Sequence, residues 1–177
     1  PRAIRSMENG MSSNRQDPPG EMPPSPISEK AIELLQECGN CAQTSFAILN
    51  EEHDLDGNQI LKALTPFPGI ALRGETCGAV TGSLMALGLV YGRDDLKDWN
   101  AYIRSLPPAR KFCARFEERY VSTSCSDILQ EKMGQTYDLA DKAEALHYAV
   151  SGGPQACAEV VAYAVEIASE SIAKARR

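Results

Sequence analysis

Along most of the chain apolar residues recur every three or four positions, the spacing that lines one face of an α-helix, and no run alternates apolar and polar residues as a half-buried strand would. Ser28 heads the first stripe, Ala31, Ile32, Leu34 and Leu35, which stops at Gly39. Asn40 can cap a second helix carrying Cys41, Ala42, Phe46, Ala47, Ile48 and Leu49 to about His53. Asp56-Gly57 marks a turn, and Ile60, Leu61 and Leu64 a short helix that Pro66 and Pro68 end. Then comes Thr76 to Gly92, in which Cys77 is followed by fifteen uncharged residues. The Thr76 hydroxyl is expected to cap this helix, and so apolar a helix must be enclosed by others.

The second half continues in the same period. Leu96, Trp99, Tyr102 and Ile103 predict a helix ended by Pro107-Pro108, and Phe112, Cys113, Phe116 and Tyr120 another from about Pro108 to Tyr120. Ser122-Thr123-Ser124 offers caps for a short helix with Cys125, Ile128 and Leu129. A further helix runs from Asp138 to Val150, ended at Gly152-Gly153. The last begins with Pro154 at its first position and carries Val160, Val161, Ala164, Val165, Ile167 and Ala168 to a basic end at Lys174, Arg176 and Arg177. The fold class is all-α: a compact multi-helix bundle over residues 28–177. Residues 1–27 contain Pro18-Pro19-Gly20 and Pro23-Pro24-Ser25-Pro26, with too little apolar surface to offset the entropy of ordering; they read as an extended or disordered N-terminal arm.

Charge and length narrow the function classes. A net charge of -6 argues against nucleic acid or an anionic membrane as partner. No uncharged run reaches the ~20 residues of a membrane span. No basic-then-apolar leader opens the sequence, so the expected compartment is the cytoplasm, where structural disulfides are rare. Another role is therefore needed for the six cysteines. Four of them, Cys41, Cys77, Cys125 and Cys157, fall at four predicted helix starts. Such a position favours thiolate, the form that binds metal or attacks disulfides. Four gathered thiolates would repel one another unless a cation neutralised them, which points to a metal or cluster. Facing helices of a bundle commonly supply such sites one side chain at a time.

Zinc in small structural domains takes cysteines as close pairs, and the chain has one, Cys38-Gly39-Asn40-Cys41; iron-sulfur clusters tolerate wider spacing. Cys38 and Cys113 read as ordinary small core residues, and His53 and His147 as single, unpartnered histidines. Gly78 and Gly82 lack bulk, so another backbone can approach that side of the helix; a homodimer through this face is one expectation. No Ser/His/Asp set, phosphate loop or carboxylate pair can be argued from spacing.

Cys77-Gly78-Ala79-Val80-Thr81-Gly82 matches the CGAxxG motif of the C_GCAxxG_C_C family of redox-active proteins, whose pattern has four cysteines. Asn40-Cys41-Ala42-Gln43 resembles its first cysteine segment, Leu87-Gly88-Leu89-Val90-Tyr91-Gly92 the continuation of the motif helix, Phe116-Glu117-Glu118-Arg119-Tyr120 leading to Cys125 the third segment, and Cys157 the fourth. The resemblance covers about Ser28 to the C-terminus. The family includes domains similar to those of split-Soret cytochromes, which implies an iron-sulfur site. No CxxCH is present, so the usual covalent haem attachment is missing. The chain departs from the family before the motif, where Phe67-Pro68-Gly69-Ile70 replaces a glycine-richer loop.

The leading expectation is a small redox protein in which Cys41, Cys77, Cys125 and Cys157 hold an iron-sulfur cluster, [4Fe-4S] or [2Fe-2S], with Gly78 and Gly82 beside it, passing electrons to or from a partner protein. Two alternatives stand beside it. One is a thiol-disulfide oxidoreductase with Cys77 as the low-pKa attacking thiol. The other is a structural zinc or partner-binding helical module.

Overall fold

Asn40 caps the second helix as expected, its side-chain oxygen accepting from the Gln43 amide at 3.0 Å. Gly39 stands before it with φ of 62°, the left-handed conformation that ends a helix and that glycine adopts without strain. The computed structural model describes residues 26–176. The helices are α1 (Pro26–Cys38), α2 (Cys41–His53), α3 (Asn58–Ala63), α4 (Gly69–Leu72), α5 (Gly78–Tyr91), α6 (Trp99–Tyr120), α7 (Cys125–Met133), α8 (Lys142–Val150) and α9 (Gly153–Ala175). Among the described residues the β-structure is a single antiparallel bridge between Thr76 and Ser124. The all-α expectation is met. The arm expected over residues 1–27 lies outside the described residues except for Pro26 and Ile27, which belong to α1.

Helices α2, α5 and α9 pack on one another in the centre, with α1 against α2 and α9, and α6 against α5 and α9. Phe46 and Leu49 of α2, Val80 and Leu87 of α5, Phe116 of α6, and Val161, Val165 and Ile172 of α9 are buried there. Phe46, Leu49, Phe116, Val161 and Val165 arrive by the three-to-four spacing that marked them in the sequence. The small-residue side of α5 is filled within the chain: a Cβ on Gly82 would meet the Ala42 carbonyl and lie 3.1 Å from Ser45 Cβ. That face is occupied by α2, which removes the ground for a homodimer through it. Among the described residues no helix is long and apolar enough to cross a membrane.

Several expectations are corrected. Thr76 does not cap α5; it pairs with Ser124, and the residue at the cap position is Cys77. Pro107-Pro108 does not end a helix: α6 runs 22 residues straight through the pair. Its N-terminal half lies on the surface, where water can take the carbonyls that proline leaves unbonded, while Phe112, Phe116 and Tyr120 anchor the other half in the core. Leu96 and Trp99, placed on a core face by spacing, are 80% and 65% exposed. Helix α8 starts at Lys142 rather than Asp138 because Asp141 accepts from the amides of Ala143 and Glu144. Helix α5 is enclosed by α2, α9 and α6 except along one strip, where Met85 and Leu89 reach solvent.

Candidate functional site

Two short extended segments bring the second and third of the four cysteines together. The Cys77 amide donates to the Thr123 carbonyl at 2.8 Å, the Cys125 amide to Glu75 at 2.6 Å and the Ser126 amide to Gly74 at 3.0 Å. Behind them Ser124 caps α7, its hydroxyl accepting from the Asp127 amide. Cys41 reaches the same place because α2 begins against the bare face of α5. A Cβ on Gly78 would collide with the Cys41 sulfur and stand 2.8 Å from the Ala42 nitrogen. Cys157 enters from α9, one turn after the helix starts at Gly153. The four cysteines, with Ala79, Ile128, Leu129 and Val160, line one small shared cavity. The structure thus gathers the four thiols singled out by helix position, and Gly78 stands beside them, whereas Gly82 faces the Ala42 backbone one turn away.

The electrostatics differ from what a helix start alone suggests. The amides of Ala79 and Val80 favour the Cys77 thiolate, but the hydrogen bond with Cys41, burial and the Cys41 charge outweigh them and hold this thiol well above the ordinary range. Burial, then the nearby Cys77 and Cys157, pushes Cys125 up to about 12. Cys157 is raised by burial to about 11 despite the Tyr148 hydroxyl donating to its sulfur. In the protein by itself these thiols stay protonated at neutral pH. This direction, together with 6% exposure, runs against Cys77 as the attacking thiol of an exchange relay.

A wider, mostly apolar cavity adjoins the first, sharing Cys41, Cys125 and Cys157 and bounded by Pro68, Gly69, Leu72, Tyr137 and Tyr148. Its wall includes α4, where Gly69, Ile70, Ala71 and Leu72 have successive φ of 52°, 50°, 58° and 62°. Left-handed backbone costs an L-residue roughly 1–2 kcal/mol. The turn is held by amide bonds from Ala71 to Pro66 (2.7 Å), Leu72 to Pro68 (2.8 Å) and Arg73 to Gly69 (3.0 Å). A Cβ on Gly69 would lie 3.4 Å from the Cys125 sulfur. This is the segment where the chain departs from a glycine-richer loop, and the backbone accounts for the glycines: the conformation is one that glycine adopts without strain.

Sequence reasoning missed Tyr148, whose ring covers Gly153 and whose hydroxyl reaches Cys157. The signal was Gly152-Gly153, read only as a helix end. Cys113 is half-buried against the core, away from the cavity lining, and exposed Cys38 hydrogen-bonds with Thr44 at 3.2 Å instead of facing the other thiols. His53 is bonded to Ser169 at 2.8 Å, so it is partnered, contrary to expectation. Among the described residues no three His, Cys, Asp or Glu side chains converge closely enough to hold a single metal ion.

An all-helical domain with four thiols around one cavity defines a class, and comparison with known proteins agrees with it. The chain belongs to the family described as "Putative redox-active protein (C_GCAxxG_C_C)", matched over residues 39–171. It is 31% identical over 152 residues to an uncharacterized protein of Archaeoglobus fulgidus, spanning 81% of this chain and 91% of that relative. No solved structure matches it.

Proposed function

We propose that the protein is a redox carrier in which Cys41, Cys77, Cys125 and Cys157 hold an iron-sulfur cluster and exchange electrons with a partner protein. The observation that carries this reading is the meeting of four thiols from four helix starts around one cavity whose lining contains no histidine or carboxylate. The donor set suits the group, since four thiolates are the usual ligands of such clusters, which supply electron transfer when bound. The surroundings suit it as well: bare Gly78 and Gly69 keep side chains away from the Cys41 and Cys125 sulfurs. Thiols supplied one at a time by separate elements, rather than as close pairs, suit a cluster better than a structural zinc ion.

The chain's own residues have distinct tasks. Cys41, Cys77, Cys125 and Cys157 would bind as thiolates, giving up protons that are otherwise held on Cys77 by the hydrogen bond with Cys41 and by burial, and on Cys125 and Cys157 by burial. The Ala79 and Val80 amides and the Tyr148 hydroxyl stabilise the charge left on Cys77 and Cys157. Ile128, Leu129 and Val160 exclude water.

Anaerobic purification followed by iron and acid-labile sulfide analysis tests the reading, with iron and sulfide bound together as the expected result. Zinc without sulfide would make the site structural. Metal-free protein with an undiminished fold would overturn the proposal.

A further inference from the structure

We infer that Tyr148 is a positioning residue of this site: its hydroxyl, aimed at the Cys157 sulfur by Gly153 and Tyr137, raises the reduction potential of the group the four thiols hold. The inference rests on the cluster reading above and deepens it.

Gly153 and Cys157 are four residues apart on α9, so they stack on one helical face. A Cβ on Gly153 would fall inside the Tyr148 ring, so the ring lies against a bare Cα one turn below the thiol, and Tyr148 lines the same cavity as Cys157, with its hydroxyl within reach of that sulfur. Tyr137 meets the ring edge-on, with centroids 5.5 Å apart and planes at 74°. Tyr137 is itself held by Gln135, whose side-chain nitrogen donates to its hydroxyl at 2.6 Å. Both tyrosines border the wider cavity beside Cys157. Helix α8, which carries Tyr148, has no fully buried residue of its own.

Hydrogen bonds to ligating sulfur stabilise the more negative, reduced state and are among the factors that set cluster potential. With a cluster bound, an electron from a donor would add one negative charge to the site, and it is this charge that the Tyr148 hydroxyl would stabilise. The Tyr148 proton stays on its oxygen. Fixing the ring in advance means that the bond need not be ordered when the electron arrives.

The test is the midpoint potential of anaerobically purified Tyr148→Phe, titrated with dithionite alongside the unaltered protein. Iron and sulfide content are expected to be unchanged, while the reduction equilibrium weakens three- to tenfold, a fall of up to about 59 mV for one electron. Gly153→Ala keeps the hydroxyl but displaces the ring, and is expected to lower the potential in the same direction. An unchanged potential in Tyr148→Phe at full cluster content overturns the inference; so does loss of the cluster, which would make the residue structural. An unchanged potential in Gly153→Ala overturns the positioning by glycine. If the unaltered protein binds no iron and sulfide, the cluster reading fails by itself, and the contact is then read from alkylation of Cys157 in metal-free protein at pH 9. Slower labelling in Tyr148→Phe keeps the contact, and equal rates overturn it.

Discussion

The bare Cα of Gly78 faces the sulfur of Cys41, so a side chain at position 78 would occupy the space the thiol fills. One turn later, Gly82 faces the backbone of Ala42 and no thiol. Two glycines of one motif therefore seat the same helix but differ in what they leave room for. Gly78 admits both a ligand candidate and a backbone; Gly82 admits only the backbone.

Substitution separates the two. Gly78→Ala and Gly82→Ala should each destabilise the fold by about 1–3 kcal/mol through overpacking against α2. Only Gly78→Ala should also lower the iron bound per folded chain, because the added methyl displaces Cys41. Denaturant unfolding with iron analysis measures both effects. Equal iron loss in the two variants at equal stability would refute a specific role for the Gly78 contact.

Removing the thiols one at a time tests the ligand set. Alanine at Cys41, Cys77, Cys125 or Cys157 should reduce metal affinity by about tenfold or more, the scale seen when even an outer partner of a ligand is lost. Alanine at Cys38 or Cys113, outside the cavity lining, should leave iron and sulfide per chain unchanged.

The left-handed turn predicts a gain. Ala71 is exposed with φ of 58°, so Ala71→Gly relieves backbone strain without opening a core cavity. Against the greater freedom of glycine in the unfolded chain, the net effect should be a stabilisation of about 0.5–1 kcal/mol, read from the urea midpoint. Gly69→Ala, at φ of 52° and beside the Cys125 sulfur, should act in the opposite direction.

Metal-free protein should weaken in alkali. Cys77, Cys125 and Cys157 have folded-state pKa values above the ordinary thiol value, so the unfolded chain loses those protons first. Their contribution to stability is fully present below pH ~8.5 and is lost as pH rises towards about 12, where Cys125 itself titrates. Urea unfolding across pH 8 to 11 should show this fall, and a shallower one in Cys125→Ala. A flat profile would contradict the burial of these thiols.

Much of the site was legible because its markers are local. Asn40 and Ser124 are cap residues, Pro154 is a helix opener, and each puts a cysteine into the first turn or at its edge. The expectations that failed depended on partners distant in sequence. Thr76 had the chemistry of a cap, but the antiparallel bridge to Ser124 took that stretch of backbone; Pro107-Pro108 had the chemistry of a stop, but the aromatic anchors of α6 outweighed it. Tyr148 and Gly153 gave no periodic signal, since one ring resting on one bare Cα is a contact between two helix ends.

The sequence by itself determined the helices, their apolar faces and the recurrence of Cys41, Cys77, Cys125 and Cys157 at helix starts, because caps and three-to-four spacing act within a few residues. Only the tertiary structure decided that these thiols share one cavity, that α2 fills the glycine face of α5, and that the Cys77, Cys125 and Cys157 thiols are held protonated instead of activated. The reason is physical: the field of a helix start falls off within one turn, whereas burial and neighbouring thiols are set by segments far apart along the chain, and here their effect is the larger.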